Sequence, residues 1–363
     1  FAESKIDESF MQAMDESIDR VHIGPFDACL LGEYDVLVRS AGISPYRSEL
    51  EAARNQGVTF TSATNIWFAE NPSERIIGIT GTLGKSTTAS LTAHLLQQAG
   101  LDICLAGNIG QPMLDIDRSP DWWVIELSSY QLCDLEADID IAVLLNLSEE
   151  HIDWHGGFER YRSDKFRLFE LAREGRIVAN HGDQNIAEAL KHKTGVTWFN
   201  RQGAWCAGED SVFRNQLAVA DETGGDAQDT SPGPVRINAT ASLPGRHNMS
   251  NLAAALTVME LLGLEAQAAE DALGVFTGLP HRLQLVGQRE GLSYVNDSIS
   301  TTPASVSAAL ATFGHEGTVL LLGGLDRGLD WNLFAEGLKN SMPHAIVTMP
   351  DNGPKIMGSL QRA

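Results

Sequence analysis

Arg75-Ile76-Ile77-Gly78-Ile79-Thr80-Gly81-Thr82-Leu83-Gly84-Lys85-Ser86-Thr87-Thr88 decides the architecture. Its apolar first half reads as a buried strand, and Ser86 to Gln98 is patterned as a helix. The glycine-rich turn between them builds a nest of backbone N–H groups at a helix N-terminus. A lysine and a hydroxyl follow at once, suited to a nucleotide's phosphates and its Mg²⁺. The pattern G-x-x-x-x-G-K-[ST] asks for glycine at 79; here Ile79 stands between Gly78 and Gly81. An ordinary strand-to-helix turn is the plain alternative. The preceding strand and the Lys-Ser-Thr-Thr run weigh toward phosphate binding.

Outward from that stretch, short apolar runs alternate with helical ones, which predicts an α/β fold with mainly parallel sheets. Expected strands are 35–39, 75–80, 122–127, 139–145, 176–179, 196–199, 292–296, 318–322 and 345–348. Helices are expected over 45–56, 86–98, 248–262, 303–312 and 333–338. The polar stretch 215–234, rich in Gly, Asp and Thr, reads as an exposed, mobile loop. Pro72 and Gly278-Leu279-Pro280 mark boundaries that divide the chain into 1–72, 73–278 and 279–363.

The chain has 363 residues and a formal charge of −22. That charge argues against nucleic acid or an acidic membrane as partner, so an anionic ligand must be held by local features such as the Lys85 loop. No run approaches the ~18–20 apolar residues of a membrane span, and the start shows no secretory signal pattern. The four cysteines, Cys29, Cys104, Cys133 and Cys206, are scattered. They fit reduced thiols in a cytoplasm better than disulfides or zinc.

Three further clusters carry chemistry. Glu126-Leu127-Ser128-Ser129 follows an apolar strand, where ligands of open sheets bind, and Glu126 offers Mg²⁺ a hard oxygen. A plain turn carboxylate is the other reading. Asn146 to His155 packs His151, Asp153 and His155 among further carboxylates, with Tyr161 and Lys165 beyond. Zinc on His151, Asp153 and His155 is conceivable, although that spacing is no known signature. In Gly245-Arg246-His247-Asn248 with Asn251, Asn248 is either an N-cap or, sharing a face with Asn251, a reader of an adenine edge.

Taken in order, these residues resemble the ATP-dependent Mur ligases of peptidoglycan synthesis, and most of all the branch that adds glutamate to UDP-N-acetylmuramoyl-L-alanine. Gly107-Asn108-Ile109-Gly110, Leu279-Pro280-His281-Arg282, Asn296-Asp297-Ser298 and Gly323-Gly324-Leu325-Asp326-Arg327 extend the likeness from about Ser40 to Met349. The resemblance implies three domains: a UDP-sugar binder, a central ATPase, and a Rossmann-like C-terminal domain presenting the amino acid. The reaction it implies passes through an acyl phosphate, in a cytoplasmic monomer. Lys85 would hold the β/γ-phosphates within the loop of Gly81, Thr82, Gly84, Ser86 and Thr87. Ser86, Glu126 and His151 would bind Mg²⁺, and Lys165 stands where the family carries a carbamylated lysine. Asn248 and Asn251 would contact the adenine, Arg282 the phosphates and Asp297 the ribose. Asn108, Ser128 and Ser129 would lie at the sugar nucleotide, and Arg327 at the glutamate.

Members that add D-glutamate usually carry lysines where this chain has Ile299 and Arg327. Arginine grips a carboxylate in a stricter, bidentate geometry, so D- and L-glutamate both stay open. Both terminal domains are expected to be incomplete. A folylpolyglutamate-synthase-like ligase and a non-catalytic nucleotide-binding regulator are the alternatives.

Overall fold

A computed structural model describes residues 22, 24–214, 235–266, 268–315, 317–326 and 328–363. The expected loop 215–234 and the candidate Arg327 lie outside the described residues. Near the N-terminus, Val36–Val38 (β1) pairs in parallel with Thr59–Thr61 (β2), with the helix Ser48–Asn55 (α1) between them. Ser62 caps the following helix, Ala63–Glu70 (α2), by accepting from the Asn65 N–H.

The phosphate-loop strand Ile76–Thr80 (β3) lies inside a six-stranded parallel sheet. It leads into Lys85–Gln98 (α3), then Ile103–Gly107 (β4) and Trp122–Glu126 (β5). The short helix Ser129–Leu132 (α4), Ile141–Leu144 (β6), the turn of helix Ile152–His155 (α5) and the longer Phe158–Glu170 (α6) come next. Ile177–Asn180 (β7) and Val196–Phe199 (β8) complete the order β4-β5-β3-β6-β7-β8.

Every residue of β3 is buried because helices cover both faces. Ile77 and Ile79 face one core with Val124, Val143, Leu91 of α3 and Leu252. Ile76 faces the other, with Trp123, Ile125, Leu144, Tyr161 and Leu168 of α6. This two-sided burial is why the strand reads as a continuous apolar run rather than an alternation. Gly78 is small because a Cβ there would press on Leu168 at 3.0 Å and Ile139 at 3.2 Å.

Beyond the sheet, Cys206–Ala207 (β9), Ser211–Arg214 (β10) and Val235–Asn238 (β11) form a small antiparallel sheet. Arg246–Leu261 (α7) then packs against α3. In the C-terminal part, Gln284–Arg289 (β12) pairs antiparallel with Leu292–Asn296 (β13). After the helix Pro303–Phe313 (α8), Val319–Gly324 (β14) pairs parallel with Ala345–Asp351 (β15).

Each of the nine expected strands is present, within a few residues. The sequence reading missed β2, β4, β9, β10, β11 and β12, along with α2, α4, α5 and α6. One boundary carries a correction: α7 starts at Arg246 with Gly245 as its cap, so Asn248 is not the N-cap. Gly245 adopts φ 87°, and a Cβ there would collide with Thr312 Oγ1 at 2.4 Å.

Candidate active site

The loops leaving the carboxyl ends of β5, β3 and β6 meet in one crevice, because these strands are neighbours in the sheet. Register places Ile79 beside Glu126 and Thr80 beside Leu144, so clusters far apart in sequence converge where open α/β sheets bind ligands.

Gly84 caps α3 with φ 82°, and a Cβ there would meet Asn251 Oδ1 at 2.5 Å. Only glycine gives the turn and lets the asparagine approach. The first backbone N–H groups of α3 lack partners within the helix and point at the crevice mouth. Lys85 Nζ donates to the carbonyls of Gly81 at 3.0 Å and Thr82 at 2.7 Å. Lys165, 2% exposed, reaches the same Gly81 carbonyl at 2.8 Å from α6. Burial lowers both amines below the usual lysine range. For Lys165 the drop is large, reinforced by Lys85 and opposed by Glu150, Glu126 and Asp164.

Glu126, 1% exposed, accepts from Asn108 Nδ2 at 3.1 Å through Oε1, while its buried Oε2 has no partner. A buried carboxylate oxygen without a donor asks for a cation. Glu126 and the nearby Ser86 hydroxyl are hard oxygen donors of the kind Mg²⁺ takes. Among the described residues no three His, Cys, Asp or Glu side chains gather as a metal site.

His151 adopts φ 55° at the start of α5, with its ring 4.9 Å from that of Tyr130. Burial lowers its pKa, with Glu150 opposing and Lys165, Lys85 and His155 assisting. Thr82 is turned away from the crevice. Its N–H donates to the Asn146 carbonyl, and its hydroxyl bonds Tyr161 Oη at 2.8 Å and the Ser148 N–H at 3.0 Å. Ser128 caps α4 in a box with Gln131. Ser129, expected beside the substrate, faces inward and lies 3.0 Å from His155 Nε2. The zinc reading fails on His155 itself, whose other nitrogen is 2.6 Å from Asp164.

A cavity of about 610 Å³ opens beside this crevice, lined by Gly84, Thr87, Asn248, Asn251, Arg282 and Asp297 among others. Asn251 Nδ2 donates to Asn248 Oδ1 at 3.2 Å, and both side chains are buried. Arg282 Nη2 approaches Ser86 Oγ at 3.4 Å, and Asp297 Oδ1 accepts from the Leu283 N–H at 3.0 Å. These contacts bring residues of the central and C-terminal stretches to one place. The sequence reading missed a second amide set in the same wall. Asn200 Nδ2 donates to Asn180 Oδ1 and Ser250 Oγ, both at 2.9 Å. Asn180 ends β7, and the carboxyl-end rule that singled out Glu126 also points to it. Asp164 and Tyr46 gave no such signal.

A parallel sheet with a phosphate loop, a buried carboxylate awaiting a cation and an adjoining nucleotide-sized cavity defines a nucleotide-dependent enzyme. A model of the Mur ligase middle domain matches residues 79–259. The UDP-N-acetylmuramoyl-L-alanine–L-glutamate ligase of Xanthomonas oryzae pv. oryzae is 44% identical over 337 residues, 90% of this chain and 69% of that protein. Two solved structures share the fold at 17% identity. MurF from Acinetobacter baumannii matches with a TM-score of 0.64 over 86% of this chain and 70% of its own. MurF from Thermotoga maritima, in complex with ADP, matches with 0.60 over 90% and 87%. The chain belongs to the Mur ligase family of ATP-dependent, amide-bond-forming enzymes.

Proposed function

We propose that this ligase joins L-glutamate to UDP-N-acetylmuramoyl-L-alanine, using ATP and Mg²⁺, as a cytoplasmic monomer. The carrying observation is the convergence of Lys85 and Lys165 on one carbonyl beside the unpartnered Glu126 oxygen. The choice of L-glutamate rests on the name of the 44%-identical relative and on Ile299 and Arg327 standing where lysines are expected in D-glutamate enzymes. The stretches 1–72, 73–278 and 279–363 act as sugar-nucleotide, ATPase and amino-acid domains.

Catalysis is positioning and charge neutralisation. Lys85 leaves the Gly81 and Thr82 carbonyls for the β/γ-phosphates, and the first N–H groups of α3 hold the anionic oxygens. Asn248 and Asn251 contact the adenine base, Asp297 the ribose and Arg282 the phosphates. Glu126, Ser86 and His151 would hold Mg²⁺, which would offset the phosphates' charge. The γ-phosphoryl group passes to the alanyl carboxylate. Glutamate's amine then attacks the acyl phosphate carbon, and the C–O bond to phosphate breaks as the amide forms. Asn108 orients Glu126 and, with Ser128, borders the sugar nucleotide, while Arg327 grips a glutamate carboxylate. Burial pushes the Lys165 amine well below the ordinary lysine range, toward the neutral form that adds to CO₂. Its nitrogen bonds the carbon and releases a proton, leaving a carbamate whose negative charge suits the metal.

The test is phosphate release with ATP, Mg²⁺ and UDP-N-acetylmuramoyl-L-alanine, comparing the two glutamates. L-glutamate alone is expected to support turnover. Turnover with D-glutamate alone would overturn the stereochemical assignment, and silence with both would overturn the substrate.

A further inference from the structure

A buried polar chain runs beneath the crevice. Tyr46 Oη donates to Asp164 Oδ1 at 2.6 Å, Asp164 Oδ2 accepts from His155 Nδ1 at 2.6 Å, and His155 Nε2 lies 3.0 Å from Ser129 Oγ. His155 is fully buried, and Ser129 and Asp164 nearly so. A carboxylate only accepts, so an imidazole proton sits on Nδ1, and Nε2 meets the serine hydroxyl. The order Ser–His–Asp is that of a hydrolase triad, but Ser129 is 3% exposed and has no path to a substrate.

Three of the four members are the covalent neighbour, or the helical partner, of a residue placed in the site. Ser129 follows Ser128. His155 N–H donates to the His151 carbonyl at 3.2 Å, closing the one turn of α5 on which His151 sits. Asp164 precedes Lys165 on α6. Tyr46 comes from the N-terminal part, whose segment 39–47 is clamped to the same face. Ser44 Oγ donates to the Trp154 carbonyl at 2.6 Å, Trp154 Nε1 donates to the Gly42 carbonyl at 3.0 Å, and buried Arg39 pairs with Asp134 at 2.8 Å.

We propose that Tyr46, Asp164, His155 and Ser129 form a positioning relay through which segment 39–47 sets the geometry of the crevice for the sugar-nucleotide substrate. This rests on the ligase reading above. An apolar seam of the same volume would hold the segment as firmly, since a buried charge contributes little net stability. Short hydrogen bonds to a carboxylate add fixed direction, and here they tie helices α4, α5 and α6 to the N-terminal segment at once. The relay residues touch no reacting atom; they act through Ser128, His151 and Lys165.

Tyr46→Phe deletes one hydroxyl and keeps the ring that packs on Arg160 and Trp154. It is expected to lower kcat/KM for the sugar nucleotide about tenfold, with KM for ATP unchanged within about twofold. Asp164→Asn is expected to cost at least as much. The double variant should cost no more than Asp164→Asn alone, because both break the same chain. Hydrogen–deuterium exchange on the unliganded protein should quicken in 128–132 and 151–165 and stay unchanged in 246–261. Additive losses, a parallel rise in the ATP KM, or unchanged exchange would each overturn the relay. The exchange measurement needs no substrate, so it judges the relay even where inactive wild type has refuted the substrate assignment.

Discussion

Lys165→Met should stabilise the protein while abolishing ligation. The amine is 2% exposed and makes one hydrogen bond, to the Gly81 carbonyl. Losing that bond costs about 1 kcal/mol. The carbonyl is not orphaned, because Lys85 still donates to it at 3.0 Å. Removing a desolvated polar group returns roughly 2 kcal/mol. The thioether would also meet the Tyr161 ring, over which the Lys165 nitrogen now lies at 4.9 Å, for about 0.5–1 kcal/mol. The balance is a gain of about 1–2 kcal/mol, or roughly 2–8 °C in midpoint for a domain of this size. Its pH dependence has a definite sign. The folded pKa of Lys165 lies well below the ordinary lysine value, so between the folded and unfolded values the unfolded chain binds more protons and wild-type stability rises with pH. The advantage of the methionine is therefore greatest at low pH and shrinks as pH climbs toward the unfolded lysine value. Urea denaturation of both proteins at several pH values, in buffer stripped of CO₂ and Mg²⁺, measures it. A methionine variant less stable than wild type at neutral pH, or a stability difference that ignores pH, would refute the reasoning.

Glu126→Gln keeps the bond from Asn108 and removes a buried charge whose second oxygen has no donor. Stability should stay within about 1 kcal/mol while phosphate release falls on the order of 100-fold; comparable turnover would remove Glu126 from the metal site. Gly107→Ala places a Cβ 2.3 Å from the Glu126 carbonyl oxygen at φ 101°. Overpacking and positive φ together cost about 2–5 kcal/mol, so an unchanged urea midpoint would contradict the observed approach of the two strands.

The sheet was legible because two-sided burial writes itself as apolar runs, and the phosphate loop because glycine, lysine and serine stand at fixed offsets. β4 was harder, since Ile103–Gly107 is short and ends at Gly107-Asn108-Ile109-Gly110, which reads as loop. β12 is largely exposed and so shows no apolar pattern at all. Within the site, Lys85, Ser86, Glu126 and Asn251 follow from rules about strand ends and helix starts. Asp164 and Tyr46 do not: their carboxylate–phenol bond spans 118 residues, and nothing local in either sequence announces a partner that tertiary packing supplies. Ser129 was legible as a serine at the right loop, but not in its direction, because the side-chain orientation depends on His155 across the interface.

The two lysines on one carbonyl have a consequence for how the loop accepts a nucleotide. Gly81 is buried, so its oxygen cannot turn to water when a donor leaves. In the proposed mechanism Lys85 leaves it for the phosphates. Were it the sole donor, nucleotide binding would strand a buried carbonyl at a cost of about 1–3 kcal/mol. Lys165 removes that cost by donating to the same oxygen from a separate helix. A carbamate formed at Lys165 keeps one N–H on the nitrogen, so this bond survives the change from amine to anion. The methionine variant, neutral or better in the unliganded protein, therefore meets its penalty only once Lys85 has moved. On the proposed mechanism, Lys165 would hold the Gly81 carbonyl in the state where Lys85 has left it.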